Sequence, residues 1–357
     1  MFYKLSEIHN LLVDEFSTLQ DVIINLNLNE MKIVVVVDTN KKLVGVICDG
    51  DIRRGLIKGL NLNSTAKEIT SLSPNFIYED TKEHEINKLL FKYKINQLPV
   101  VNNDNILVGL FIKDHSFLSN EKLKSNTVVI MAGGKGLRLK PFTSNIPKPL
   151  VKIGEKSILE HIISNVRKDG FINIIIAINH MGEMIEDIIG DGSHLNVNVS
   201  YLRENSFLGT AGALSLLEKG ANDPIIVING DILTEVNFFN LLEYHTDNKS
   251  DATMAVTEYE LINPYGVVII DGHNITGFKE KPTIKNYINA GIYVLSCHTL
   301  DLLKANEYCD MPDLFTKIRQ SKLKTIAYAI HESWLDIGSP KDLLEANNKH
   351  DIKYEKN

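Results

Sequence analysis

The sequence predicts an α/β chain in two parts, a short α+β repeat followed by a mainly parallel sheet with helices on both faces. Three observations carry this reading. The first 120 residues match themselves at an offset of about 64, a polar stretch closes near Asn126, and apolar strand-like and helical segments alternate from there on. Length agrees, since 357 residues exceed the roughly 250 to 300 at which one core tends to divide.

In the repeat, Val34-Val35-Val36-Val37 falls on Leu98-Pro99-Val100-Val101, and Leu43-Val44-Gly45-Val46 falls on Leu107-Val108-Gly109-Leu110. Each copy opens with a helical pattern, at Leu19 to Leu28 and at His84 to Tyr93, and reads helix, strand, turn, strand, helix. These residues resemble a tandem pair of CBS motifs, a unit that commonly binds adenine nucleotides between its halves. The resemblance implies a CBS module over residues 1–119. It places Asp51 where that family often holds a ribose, a task suited to a carboxylate that accepts two hydrogen bonds at once. The competing role for Asp51 is to cap the following helix, expected at Ile52 to Leu60, with the pair serving only as a dimerisation or spacer module. The second copy has His115 and Ile112 at the ligand positions, so at most one ribose site of this kind is expected. Such pairs associate face to face, which implies a homo-oligomer.

Residues 120–126 read as a linker, polar between apolar segments, and 127–357 as the second domain. Strands are expected at Thr127 to Ala132, Asn173 to Asn179, Val197 to Leu202 and Ile225 to Asn229. Helices are expected at Ile158 to Lys168, Glu183 to Ile189, Ala211 to Lys219 and Phe238 to His245. Alternation of this kind predicts βαβ units in a Rossmann-like sheet, and ligands of such sheets bind beyond the carboxyl ends of the strands.

The chemistry-bearing motifs follow those ends. The first strand runs into Ala132-Gly133-Gly134-Lys135-Gly136-Leu137-Arg138, where glycines let backbone N–H groups turn against an anion and the cations add charge. It lacks the spacing of a dinucleotide fingerprint and the closing Lys-Ser/Thr of a P-loop. Pro147-Lys148-Pro149 then fixes the backbone around one lysine. This Gly-Gly-x-Gly-x-Arg-Leu-x-Pro-x-Thr run with Pro-Lys-Pro resembles the signature of the sugar-1-phosphate nucleotidyltransferases. Further segments agree in order: Leu208-Gly209-Thr210-Ala211-Gly212, Asn229-Gly230-Asp231, Glu280-Lys281-Pro282, Asn289-Ala290-Gly291 and Trp334-Leu335-Asp336-Ile337-Gly338.

The resemblance implies roles. Arg138, with the loop at Ala132, Gly133, Gly134 and Gly136, would meet the nucleotide phosphates, Lys148 the phosphates near the reacting centre, and Lys281 the sugar phosphate. Gly209 and Thr210 would approach the base, and Glu280, Asn289 and Gly212 the sugar. Asp231 and Asp336 would hold Mg²⁺, a hard cation that prefers oxygen ligands. Tyr201 and Glu204 could read guanine, since a carboxylate accepts from its N1–H and amine. The CBS fusion and the segment Asn179 to Ile185 most resemble the glucosamine-1-phosphate guanylyltransferases of bacterial legionaminic acid synthesis. That implies GTP and glucosamine 1-phosphate as substrates and GDP-glucosamine as product. Heptose- and mannose-1-phosphate guanylyl transfer, uridylyl or thymidylyl transfer, and an inactive adenine-nucleotide sensor are the alternatives.

Composition excludes other classes. A net charge of -7 argues against nucleic-acid binding, which needs Lys and Arg to neutralise phosphates. Cys48, Cys297 and Cys309 lack metal or disulfide spacing. Met1 to Glu15 does not resemble a signal peptide, and no apolar run approaches the roughly 18 residues of a membrane span. A cytoplasmic protein with no membrane partner is expected.

Overall fold

The computed structural model describes residues 2–29, 33–70, 74–93, 95, 97–112, 123–218 and 224–354. The chain divides into two compact units, Met1–Glu121 and Lys122–Asn357. No helix among the described residues is long and apolar enough to cross a membrane.

The first unit contains β1 (Phe2–Lys4), β2 (Leu12–Asp14), α1 (Leu19–Leu28), β3 (Ile33–Val37), β4 (Leu43–Cys48), α2 (Asp49–Ile57), α3 (Ala66–Ile69), β5 (Ile77–Tyr78), α4 (Glu83–Tyr93), β6 (Gln97–Val101) and β7 (Leu107–Ile112). The sequence repeat is also a repeat of geometry. Val36 pairs Gly45 and Val37 pairs Leu43 across a bulge in β3–β4, and Val100 pairs Gly109 and Val101 pairs Leu107 across a bulge in β6–β7. Val13 lies beside Val36 and Ile77 beside Val100, both in parallel. The turn residues Lys41 and Asn105 both have φ of 60°. The copies clasp reciprocally, Leu43 N–H donating to Asn105 O at 3.0 Å and Leu107 N–H to Lys41 O at 2.9 Å. The ligand position proposed at His115 lies outside the described residues.

Helix α2 begins three residues earlier than the sequence suggests, and Asp51 is in its first turn. One carboxylate oxygen accepts from Cys48 N–H at 2.9 Å, and the other meets Arg54 at 2.6 Å. Asp51 therefore closes a capping box from the third position of its own helix, with Cys48 rather than Asp51 as the N-cap.

The second unit opens with β8 (Lys124–Met131), which takes in the end of the expected linker. Lys124 pairs Phe171, and its ammonium sits 3.9 Å over the Phe239 ring. There follow β9 (Lys152–Ile153), β10 (Lys156–Ser157), α5 (Ile158–Lys168), β11 (Phe171–Ile178), α6 (Gly182–Ile189), β12 (Asn198–Arg203), α7 (Gly209–Gly212), β13 (Ile225–Asn229), β14 (Ile232–Thr234) and α8 (Phe238–Asp247). The remainder is β15 (Ala252–Ile262), β16 (Val267–Asp271), β17 (Asn274–Lys279), β18 (Thr283–Leu295), α9 (Met311–Gln320), β19 (Thr325–Ala329), β20 (Trp334–Asp336) and α10 (Pro340–Tyr354).

Seven strands form one sheet in the order β12-β11-β8-β13-β18-β15-β19. All neighbours run parallel except β18, antiparallel to both β13 and β15. The apolar strands bury both faces, as parallel sheets do. Val128 and Ile130 of β8 join one core with α5 and α8, whereas Val129 joins the other with α9.

Two local expectations are corrected. The helix expected at Ala211 to Lys219 is one α turn, α7, followed by a 3-10 stretch, Ala213–Leu216. Two glycines in that turn are poor helix formers, and their backbone is held by another segment, described below. The mainly parallel sheet also carries a projecting arm. Beyond Glu258 the paired strands β15 and β18 are almost wholly exposed on both faces, as is the separate hairpin β16–β17.

Candidate active site

The site forms where β8, β12 and β13 end. The ladder continues one step past each strand through Ala132 N–H to Ala177 O at 2.8 Å, Glu204 N–H to Ile178 O at 2.9 Å, and Gly230 N–H to Met131 O at 2.8 Å. Ala132 is buried, and its donor is spent on the sheet. Gly133 is packed so that a Cβ there would lie 2.6 Å from Glu204 Oε1, while a Cβ at Gly134 would meet open space. Gly136 has φ of 60°, a left-handed conformation natural to glycine. It starts the 3-10 turn Leu137–Leu139 that carries the exposed Arg138.

A Cβ at Gly136 would lie 3.1 Å from Lys148 Cβ, so the glycine loop and the Pro-Lys-Pro segment touch. Lys148 Nζ donates to Asp231 Oδ2 at 2.5 Å, and the lysine side chain is only 11% exposed. Although 105 residues apart in sequence (336 − 231), Asp231 and Asp336 are brought together by β14 pairing with β20. Ile232 faces Asp336, and Ile337 N–H donates to Asp231 O at 3.0 Å. Burial, then the negative charge of Asp231, pushes the Asp336 carboxyl above the ordinary range, while Lys148 and Arg138 oppose the shift. These four sequence-predicted residues therefore share one electrostatic cluster.

Asp336 Oδ1 is buried with no hydrogen-bond partner. A buried carboxylate oxygen left unpaired is costly, and beside a second carboxylate it is the hard donor that Mg²⁺ takes. The residues present fit that ion.

Glu204, 8% exposed, stands next to the glycine loop. Its Oε2 accepts from Leu208 N–H at 2.9 Å. Burial raises its pKa, partly offset by that bond. Tyr201 is placed elsewhere: its hydroxyl donates to Gly190 O at 2.7 Å, at the end of α6. The expectation that it reads the base with Glu204 is not met, because the tyrosine pins a helix.

Gly209, Thr210 and Gly212 turn out to be anchored to the segment before α9. Ala211 and Gly212 N–H groups donate to Cys309 O, and Thr210 N–H donates to Asp310 Oδ1 at 3.0 Å. The Thr210 hydroxyl bonds the same oxygen at 3.2 Å and accepts from Met311 N–H at 2.8 Å. Gly209 has φ of 82°, and a Cβ there would lie 2.7 Å from Cys309 O. Gly209→Ala is therefore expected to destabilise the unit by about 1 to 3 kcal/mol, read from urea unfolding at unchanged m. The partner Asp310 escaped sequence reasoning because it lies 100 residues away from Thr210; its position before the helix-opening Met311-Pro312 was the available cue.

Asn289 lies in a bulge, where Met254 pairs Tyr293 and Val256 pairs Asn289. It donates to the Tyr293 hydroxyl at 2.8 Å and accepts from Gly291 N–H at 3.0 Å. The bulge rests against the edge that carries Asp231: a Cβ at Gly291, with φ of 72°, would lie 2.8 Å from Asn229 Nδ2, and Trp334 Nε1–H donates to Ala290 O at 2.8 Å. Glu280 and Lys281 are exposed on the arm between β17 and β18. Lys281 has φ of 40°, doubly unusual for a side-chain-bearing residue that precedes proline. Strain of this kind collects at functional positions.

The fold and these residues define an α/β unit with a glycine loop, a lysine and two aspartates gathered at one edge of its sheet. A family model described as Nucleotidyl transferase matches residues 127–352, and the chain belongs to that family. The mannose-1-phosphate guanyltransferase of Pichia angusta is 34% identical over 225 residues, covering 60% of this chain and 62% of its own length. The mannose-1-phosphate guanylyltransferase catalytic subunit beta of Xenopus tropicalis is 33% identical over 224 residues, with coverages of 60% and 62%. The match thus spans less than two thirds of these relatives. The crystal structure of HddC from Yersinia pseudotuberculosis is 28% identical, covers 63% of this chain and 99% of that one, and superposes with a TM-score of 0.51. The same protein complexed with GMP-PN gives 0.50.

Proposed function

We propose that the chain transfers GMP from GTP to a sugar 1-phosphate, releasing pyrophosphate and forming a GDP-sugar, with Mg²⁺ at Asp231 and Asp336. The observation that carries this is the buried, unpartnered Asp336 Oδ1 beside the Lys148–Asp231 pair, under a glycine loop. Guanine is favoured because the relatives just described are named for guanylyl transfer and HddC was solved with a guanine nucleotide analogue. The names also favour mannose 1-phosphate. Glucosamine 1-phosphate and legionaminic acid synthesis, implied by the sequence resemblance, find no support among them, and mannose 1-phosphate replaces glucosamine 1-phosphate as the first acceptor to test.

Both substrates are polyanions, so catalysis is largely positioning and neutralisation of charge. Bound at the two aspartates, Mg²⁺ would supply charge stabilisation to phosphate oxygens. Lys148 is held by prolines on each side and contributes a fixed cation at the same edge. Arg138, exposed on its 3-10 turn, supplies a planar donor set suited to phosphate. The open backbone at Gly134 leaves room for an anion to approach. The attacking phosphate is ionised at neutral pH, and no general base is needed. Glu204, whose Oε1 lies beside Gly133, would accept from a guanine.

The test is pyrophosphate release from each of four NTPs against mannose, glucosamine, glucose and heptose 1-phosphates. GTP with mannose 1-phosphate is expected to give the highest kcat/KM. A preference for UTP or dTTP would overturn the base assignment, and inactivity with every pair would favour the nucleotide sensor.

The exact-offset geometry of the first unit supports a CBS-type pair, with an adenine nucleotide as its ligand and turnover as the regulated quantity. If ATP, ADP and AMP neither bind the full chain nor change its turnover, that part of the reading fails.

A further inference from the structure

The turn that follows Glu204 ends on an exposed pair of aromatic rings that the mechanism does not use. Glu204 Oε2 accepts from Leu208 N–H at 2.9 Å, and that bond folds residues 204–208 so that Asn205, Ser206 and Phe207 form an exposed tip. Phe207 is 47% exposed and Tyr308 is 58% exposed. Their ring centroids lie 5.9 Å apart with the planes at 54°. Both rings are tied in place despite their exposure. Cys309 N–H donates to Leu208 O at 2.9 Å, joining the two segments that carry them. The Tyr308 hydroxyl donates to Asp310 Oδ2 at 2.6 Å, and the other oxygen of that carboxylate accepts from Thr210 N–H at 3.0 Å. One acid therefore orients both the tyrosine ring and the start of α7. Ordering a surface side chain costs conformational entropy. A ligand that meets an exposed pair already ordered avoids that cost on binding.

We propose that Phe207 and Tyr308 form an aromatic wall on which the nucleotide base stacks while Glu204 accepts from the edge of the base. The proposal rests on the reading of Glu204 as the base contact. The two contacts divide the work. Stacking asks only for a planar π-face and tolerates any base, whereas a carboxylate takes the adjacent N1–H and amine donors of guanine. By ordinary side-chain areas the pair leaves roughly 200 Å² exposed. That is about a quarter of the roughly 800 Å² that a protein partner would cover, and it suits a single planar ring lying beside Glu204.

The experiment uses the full chain carrying Phe207→Trp, with nucleoside diphosphates as probes so that no turnover is needed. The unaltered chain, whose one tryptophan is Trp334, supplies the background. GDP is expected to quench the fluorescence of Phe207→Trp in a saturable way, beyond any change in the unaltered chain. In calorimetry, Phe207→Ala should weaken GDP binding about tenfold, and the KM for GTP should rise in step while the KM for the sugar phosphate stays where it is. Phe207→Leu separates stacking from packing, since it keeps an apolar contact with Tyr308 but has no ring. It should lose as much GDP affinity as Phe207→Ala, and Phe207→Tyr should retain it. Phe207→Leu binding GDP as tightly as the unaltered chain, or no added quenching by any of GDP, ADP, UDP and CDP, overturns the proposal. Quenching by UDP but not GDP would uphold the wall and sink only the guanine reading.

Discussion

Asp336→Asn is expected to lower turnover by about 10² to 10³ while raising the melting temperature of the metal-free protein at pH 7. The two effects have one cause. The folded chain places Asp336 where burial and Asp231 disfavour its ionised form, so its folded pKa lies above the ordinary carboxylate value. A group shifted upward stabilises the fold fully at pH values below its unfolded pKa, about 3.9 for Asp, and that contribution is lost as pH rises through the folded pKa. At pH 7 the carboxylate is charged in a place that resists charge, and the amide relieves this at similar volume. Chelated wild-type protein should therefore gain stability from this group as pH falls from neutrality, and the variant should not. Added Mg²⁺ should raise the melting temperature of the wild type through ligand linkage and leave the variant unmoved. A variant that melts lower than wild type in EDTA, or keeps its turnover, would remove Asp336 from the metal site.

Much of this cluster was legible in the sequence, for identifiable reasons. Helix α5 lies where its pattern predicted because Ser157 and Glu160 form a reciprocal cap and its apolar residues recur at helical spacing. Gly136 and Asp231 follow the ends of β8 and β13, and a strand end in a parallel sheet is a place as well as a sequence position; Lys148 reaches that place against Gly136, and Asp336 through the β14–β20 pairing. What was not legible depended on contacts distant in sequence. Nothing local to β18 states that it runs antiparallel, because apolar alternation has no direction. Nothing local to Gly209 states that it packs on Cys309. Tyr201 read as a base contact because it precedes Glu204, but residues on one strand alternate faces and reach different neighbours. The strands of the arm beyond Glu258 were not anticipated from the sequence, and nothing local to them states that their apolar residues would be exposed.

Lys148→Met is expected to separate phosphate contact from metal binding. The substitution keeps the apolar stem against Gly136 and removes the ammonium that sits 2.5 Å from Asp231 Oδ2. Turnover should fall about 10² to 10³, because a rigid cation at the reacting edge is lost. Both carboxylates remain, and no lysine now competes for Asp231, so Mg²⁺ should still raise the melting temperature, in contrast to Asp336→Asn. In the metal-free state the variant should melt below wild type at pH 7. Lys148 opposes the upward shift of Asp336, so its removal should move the acid limb of the pH–rate profile to higher pH. Lys148→Arg should not restore activity, since a planar guanidinium cannot take the place of a compact ammonium packed behind a glycine. Loss of the Mg²⁺ effect together with turnover in Lys148→Met would make the lysine part of the scaffold of the metal site, and the phosphate role assigned to it would pass to Arg138.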